Sequence, residues 1–161
     1  MNDLKPGLDV KHINPFLQSC VTIYESLTQV KPAVGKPAIA ELNFQEATFV
    51  IQVGVTGALK GQVLIVMTTE NAKHIASQMM MGMPVNEIDE MSTSALSELG
   101  NMIMGNTATI FSTQNIHIDI TPPMAVMGAQ IKLASDIQAL RIPMVCDGVE
   151  RFNLYICVAQ E

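Results

Sequence analysis

The run "TFVIQVGVTGALKGQVLIVMTT", residues 48–69, holds two β-branched stretches joined through "GALKG". Val, Ile and Thr suit a pleated, packed surface. Apolar runs bounded by glycines at this distance read as a hairpin, with strands near 47–56 and 60–67. Strands joined by so short a turn pair antiparallel. Toward the N-terminus a third strand-like run lies near 38–43, and "VKPAVGKP" (30–37) interrupts the pattern with two Pro and one Gly. Before it, residues 14–30 carry Phe16, Leu17, Cys20, Ile23, Tyr24 and Leu27 at helical spacing. Asn14 can cap that helix and Pro15 fits its first position. Residues 1–13 read as a short lead-in.

Toward the C-terminus, residues 69–82 read as a second helix. Thr68 or Thr69 caps it, Ala72, Ile75, Ala76, Met79 and Met80 form its apolar stripe, and Gly82 and Pro84 stop it. A third helix spans about 87–112, with Glu87, Asp89 and Glu90 in its first turn, where the helix dipole favours acids. Four strand-like runs follow, near 115–121, 124–134, 139–146 and 150–159, the first two separated by Pro122-Pro123. The order predicts an α+β fold: a mostly antiparallel sheet with helices packed on it in layers. A chain of 161 residues suits one domain spanning 1–161.

Composition narrows the function. The chain is 48% hydrophobic with only 15% charged residues, enough apolar material for a packed core. Nine basic against fifteen acidic residues leave a net charge of -6 and no basic run, which argues against nucleic-acid binding. Apolar runs such as "VLIVM" (63–67) are too short to span a bilayer, and "MNDLKPGLDV" has no signal-peptide core. Cys20, Cys146 and Cys157 are widely spaced in apolar surroundings and read as buried thiols, pointing to a reducing cytoplasm. The twelve methionines read as core filler first, with Met79 to Met83 a possible adaptable partner surface second.

The third helix holds the unusual chemistry. "SALSELGNMIMGN" (94–106) places Gly100, Asn101 and Gly105 inside a helix, although Gly costs about 1 kcal/mol there relative to Ala. On a wheel, Ala95, Leu96, Leu99, Met102, Ile103 and Ile110 form the core face. Ser94, Glu98, Asn101 and Gly105 align on the far side, at i, i+4, i+7 and i+11. Gly105 leaves that ridge bare, so a partner can approach closely. A carboxamide both donates and accepts hydrogen bonds in fixed directions, which suits holding a water in line with phosphorus. The carboxylate suits pairing with a partner's lysine. By spacing alone, such a stripe is also what any solvated helix face shows.

The chain resembles the CheC/CheX/FliY family of bacterial chemotaxis phosphatases, and its CheX branch most. That family's motif is Asp or Ser, three residues, Glu, two residues, Asn, then Pro about 22 residues on. Ser94, Glu98, Asn101 and Pro123 match it. "INPFLQS", "GALKGQVLIVMT" and "HIASQMMMG" extend the likeness over most of the chain. The resemblance implies a CheC-like fold and hydrolysis of the aspartyl phosphate of a CheY-type response regulator. It implies that Asn101 orients the attacking water, that Glu98 pairs with the receiver's lysine, and that Ser94 supports. Magnesium would sit on the receiver, with no cofactor on this chain, and a homodimer is implied. At the matching place of the first helix, Ser19, Ile23 and Ser26 lack the Glu and Asn, so one site per chain is expected. The rival readings are an adaptor that binds receivers or flagellar switch components without hydrolysis, and a structural dimer with no receiver partner.

Other motifs carry less. "CDGVER" (146–151) resembles a cysteine-phosphatase loop one residue too short, and reads better as a turn at Asp147-Gly148. "GVTGALKG" lacks the spacing of a phosphate-binding loop. His12, His74 and His117 have no metal-ligand spacing, and His117 is expected on the sheet's polar side.

Overall fold

Four strands of eight or more residues build the frame. A computed structural model describes residues 4 and 6–160. Along the chain lie α1 (Val10–Thr28), β1 (Ala33–Val34), β2 (Ala38–Ala40), β3 (Asn43–Phe44), β4 (Thr48–Gly57) and β5 (Leu59–Thr68). Then come α2 (Thr69–Met79), α3 (Glu90–Thr113), β6 (Ile118–Ile120), β7 (Met124–Gly128), β8 (Ile131–Lys132), β9 (Ala139–Cys146) and β10 (Val149–Gln160). The main sheet runs β1-β9-β10-β5-β4-β6, with β2 also on β9 and β7 also on β4, and every pairing is antiparallel. The hairpin read in 48–69 is β4–β5, with Val53 opposite Val63.

One face of the sheet meets the helices. Phe49, Ile51 and Val53 of β4, Val63, Ile65 and Met67 of β5, and Leu154 and Ile156 of β10 join one core with Phe16, Tyr24, Ile75, Leu96 and Phe111 of the helices. The alternate residues Val50, Leu64, Val66, Tyr155 and Cys157 form a smaller core on the other face, under Leu42 and Phe44. The β3–β8 ribbon covers part of that face, and Phe44 meets the Tyr155 ring edge-on at 5.4 Å. Central strands buried on both faces explain why "VLIVM" is continuously apolar. Among the described residues no helix is long and apolar enough to cross a membrane.

The element boundaries move for identifiable reasons. The first helix starts at Val10, not Asn14, with Asp9 in the cap position and Pro15 inside. Proline there removes the hydrogen bond to the carbonyl four residues back, and Pro15 is buried. Part of the expected lead-in, residues 1–3 and 5, lies outside the described residues. The second helix ends at Met79, because Met81 and Gly82 adopt positive φ. The run 115–121 shrinks to Ile118–Ile120: Asn115, at φ 63°, lets the Ile116 N–H reach back to the Phe111 carbonyl. The run 124–134 breaks at Gln130, φ 54°, and its second part leaves the main sheet to pair with β3. The run 38–43 likewise divides between β2 and β3, and two residues of the expected break, Ala33–Val34, pair with β9. Within α3, Met102 and Ile110 are half-buried while Met104 and Phe111 are fully buried, a rotation of the apolar face from the one read on the wheel.

Candidate functional site

The site begins at the start of α3. Asp89 caps the helix: its Oδ1 accepts from the Ser92 N–H at 2.9 Å, while the Asp89 N–H donates to Ser92 Oγ at 2.8 Å. This reciprocal arrangement satisfies donors that a helix end otherwise leaves orphaned. The hydrogen bonds from the Ser92 backbone and hydroxyl hold the Asp89 carboxyl below its usual range. Glu87, expected in the first turn, lies outside the helix.

Gly100 sets the height of α3 over the sheet. It is buried, and a Cβ there would lie 2.6 Å from Ile51 Cγ2. This supplies the packing reason for that glycine. With Leu96, Leu99 and Ile103 turned inward, Ser94, Glu98 and Asn101 are exposed on the opposite ridge. Among the described residues neither the Glu98 carboxylate nor the Asn101 carboxamide has a hydrogen bond or ion pair. Their valences are open to a partner. Three residues apart on a helix, the two side chains are neighbours.

The second wall comes from the link between β6 and β7. A shallow groove of about 580 Å³ lies between Ser94, Glu98 and Asn101 on one side and Ile120 to Pro123 on the other. Thr121 fastens this lip to the sheet. Its Oγ1 accepts from the Gly54 N–H at 2.8 Å and its own N–H donates to the Gly54 carbonyl at 3.0 Å. Gly54 leaves the space: a Cβ there would stand 2.9 Å from Thr121 Cγ2. The structure thus brings Ser94, Glu98, Asn101 and Pro123 around one groove. Gly105 lies one turn beyond it, with nothing within 4 Å of the Cβ it lacks. Sequence reasoning missed Thr121 and Gly54. The available signal was a glycine inside an otherwise β-branched strand, which often marks a close backbone approach.

The remaining candidates separate cleanly. Ser19 is fully buried and accepts from Asn106 Nδ2 at 3.0 Å, Ile23 packs on the core, and only Ser26 is exposed, so α1 presents no second ridge of this kind. Cys146 is buried, and burial pushes its thiol above the usual range, the reverse of what a nucleophile needs. Asp147 and Gly148 form the expected turn at φ 52° and 78°, and Arg151 donates to Asn71 Oδ1 at 2.9 Å. Cys157 is also buried, its pKa pushed up to about 11 by desolvation. His117 is exposed and His12 buried. No group of three or more His, Cys, Asp or Glu among the described residues could hold a metal ion. The methionine cluster divides: Met79 and Met80 pack on the core, whereas Met81 and Met83 are exposed.

Known proteins resemble this chain in sequence and fold. The family model described as chemotaxis phosphatase CheX matches residues 49–149. The CheY-P phosphatase CheX of Thermotoga maritima is 31% identical over 151 residues, covering 94% of this chain and 97% of that protein. A CheC-like superfamily protein from Shewanella sp. PV-4 superposes with a TM-score of 0.82 at 26% identity, over 94% of this chain and 99% of that one. CheX in the CheX–CheY–BeF3–Mg2+ complex of Borrelia burgdorferi gives 0.78 at 25% identity, over 94% of this chain and all of that one. With the family model covering most of its length and a curated relative aligned nearly end to end, the chain belongs to the CheX family of chemotaxis phosphatases.

Proposed function

We propose that this chain is a phosphatase for the aspartyl phosphate of a CheY-type receiver domain. The observation that carries the reading is a pair of exposed groups, Glu98 and Asn101, without a partner among the described residues, on one ridge of α3 beside an open groove. Asn101 enters the receiver's active site and holds a water in line with phosphorus. The water oxygen attacks phosphorus, the bond from phosphorus to the aspartyl oxygen breaks, and inorganic phosphate and a free carboxylate result. Glu98 pairs with the receiver's lysine and aligns the two proteins. Ser94 and Pro123 support the groove, and Gly105 leaves room for the docked partner. Magnesium belongs to the receiver, and this chain binds no cofactor of its own. An acyl phosphate is already labile, so positioning supplies the remaining acceleration. The protein works in the cytoplasm as a homodimer and inserts in no membrane.

The test is phosphate release from a CheY-type receiver phosphorylated in the presence of magnesium. Asn101→Ala should lower kcat by about 10²-fold while binding survives, because the carboxamide acts mainly in the transition state. Glu98→Ala should lose both binding and turnover. Wild-type protein that binds the phosphorylated receiver without releasing phosphate would assign it as an adaptor instead.

A further inference from the structure

Ten residues before Asn101, on the same side of α3, Met91 is 62% exposed. Met81 and Met83, from the turn after α2, are 97% and 57% exposed. Met83 and Met91 line one shallow groove of about 380 Å³ with Met80, Pro84 and Val85. Unbranched, polarizable side chains left in water, as Met83 and Met91 are in this groove, form an adaptable contact surface, and Met81 stands two residues before Met83. The charged residues that line this groove, Glu87 and Asp89, are both acidic. From residue 74 to residue 131 the chain has no Lys or Arg, yet it carries Glu87, Asp89, Glu90, Glu98 and Asp119. Glu87 is exposed and lines the methionine groove, and Glu90, next to Met91 in the chain, is exposed as well.

Geometry connects this patch with the site. Ten residues at about 1.5 Å each put Met91 about 15 Å from Asn101 along the helix. A standard interface covers about 800 Å² on each partner, a disc of about 16 Å radius. A footprint of that size centred on Asn101 reaches Met91. Toward the other end of α3 the same ridge offers Gly105, Thr109 and Ser112, which present little apolar surface.

Resting on the phosphatase reading above, we infer that Met81, Met83 and Met91 form the second contact surface for the phosphorylated receiver, taking an apolar patch flanked by lysine or arginine beside the receiver's phosphorylation site. Asn101 supplies the chemistry, and the methionine patch with its acidic rim supplies residence time and on-rate.

Steady-state dephosphorylation of a phosphorylated CheY-type receiver by Met81→Ser/Met83→Ser/Met91→Ser tests this. The expected result is a KM raised about tenfold with kcat changed less than twofold, and recovery of KM in the corresponding triple leucine variant. Should the serine triple fail to fold, Glu87→Lys with Glu90→Lys gives the second reading: a raised KM and a weaker dependence of KM on salt. A KM unmoved in both variants overturns the inference. So does a serine triple that loses self-association in sedimentation while keeping its KM, since the patch would then belong to a second copy of this chain. Wild-type protein inactive on every phosphorylated receiver removes the phosphatase reading and this inference with it, whereas an active wild type with an unchanged variant removes only the inference.

Discussion

Gly100 and Gly105 stand five residues apart on α3 and face different surroundings. A methyl on Gly100 would press a fully buried, β-branched Ile51 at 2.6 Å, and one on Gly105 would meet nothing within 4 Å. Gly100→Val should therefore cost about 3 kcal/mol through overpacking, visible as a lowered urea midpoint with unchanged slope. Gly105→Ala should gain about 1 kcal/mol of helix propensity and raise the melting temperature by about 3 °C. On the docking proposed above, the same methyl should raise KM for the phosphorylated receiver, because it would stand on a bare part of the ridge. A melting temperature lowered by Gly105→Ala would show that its surroundings are not open. The two glycines also mark how far residues alone can be read. Asn101 and Glu98 fall on the outer ridge by spacing, and the structure exposes both. No spacing rule reveals that Gly100 touches Ile51, because that contact joins distant parts of the chain.

At the scale of elements, the helix ends carry the next argument. Asp89 is the one acid that closes the N-terminus of α3, through its exchange with Ser92. Its carboxyl is depressed in the folded chain, first by the Ser92 backbone hydrogen bond. A depressed folded pKa means stability present above the unfolded carboxylate range and lost as pH falls through the folded value. Asp89→Asn keeps a capping oxygen without a titrating charge. The melting-temperature gap between wild type and Asp89→Asn should be widest near neutrality and close as pH drops below the ordinary carboxylate range. A gap that stays constant from pH 7 to pH 3 would exclude the cap as a titrating contributor. Elements were legible where local chemistry decides them: Thr68 caps α2, and the β4–β5 and β9–β10 hairpins stand where their turns predict. The start of α1 was not, because Asp9 makes no side-chain cap bond and Pro15 sits inside the helix. Tertiary packing, with Phe16, Cys20 and Tyr24 fully buried, overrides that local stop signal.

Across the whole molecule, the groove exists because two distant elements meet over β4. The antiparallel layered architecture follows from the sequence pattern, yet the division of 124–134 between the main sheet and the β3–β8 ribbon does not. Pairing partners are chosen by the assembled sheet, and no local period encodes them. The lip of the site depends on such a choice. Thr121 reaches its place only because β6 and β7 both pair with β4 around Gly54. Gly54→Ala should push Thr121 Cγ2 outward from its 2.9 Å position and shift Pro122-Pro123 against Glu98 and Asn101. A displacement of a few tenths of an ångström at a positioning contact is expected to cost about tenfold in kcat/KM on the phosphorylated receiver. Thr121→Ser removes the colliding methyl and keeps the hydroxyl that accepts from the Gly54 N–H. Adding it to Gly54→Ala should restore most of the lost kcat/KM, measured by phosphate release beside each single variant. Recovery would tie the activity to the position of the lip. A double variant no better than Gly54→Ala alone would place the damage in β4 itself, and the lip would then serve the fold without shaping the reaction.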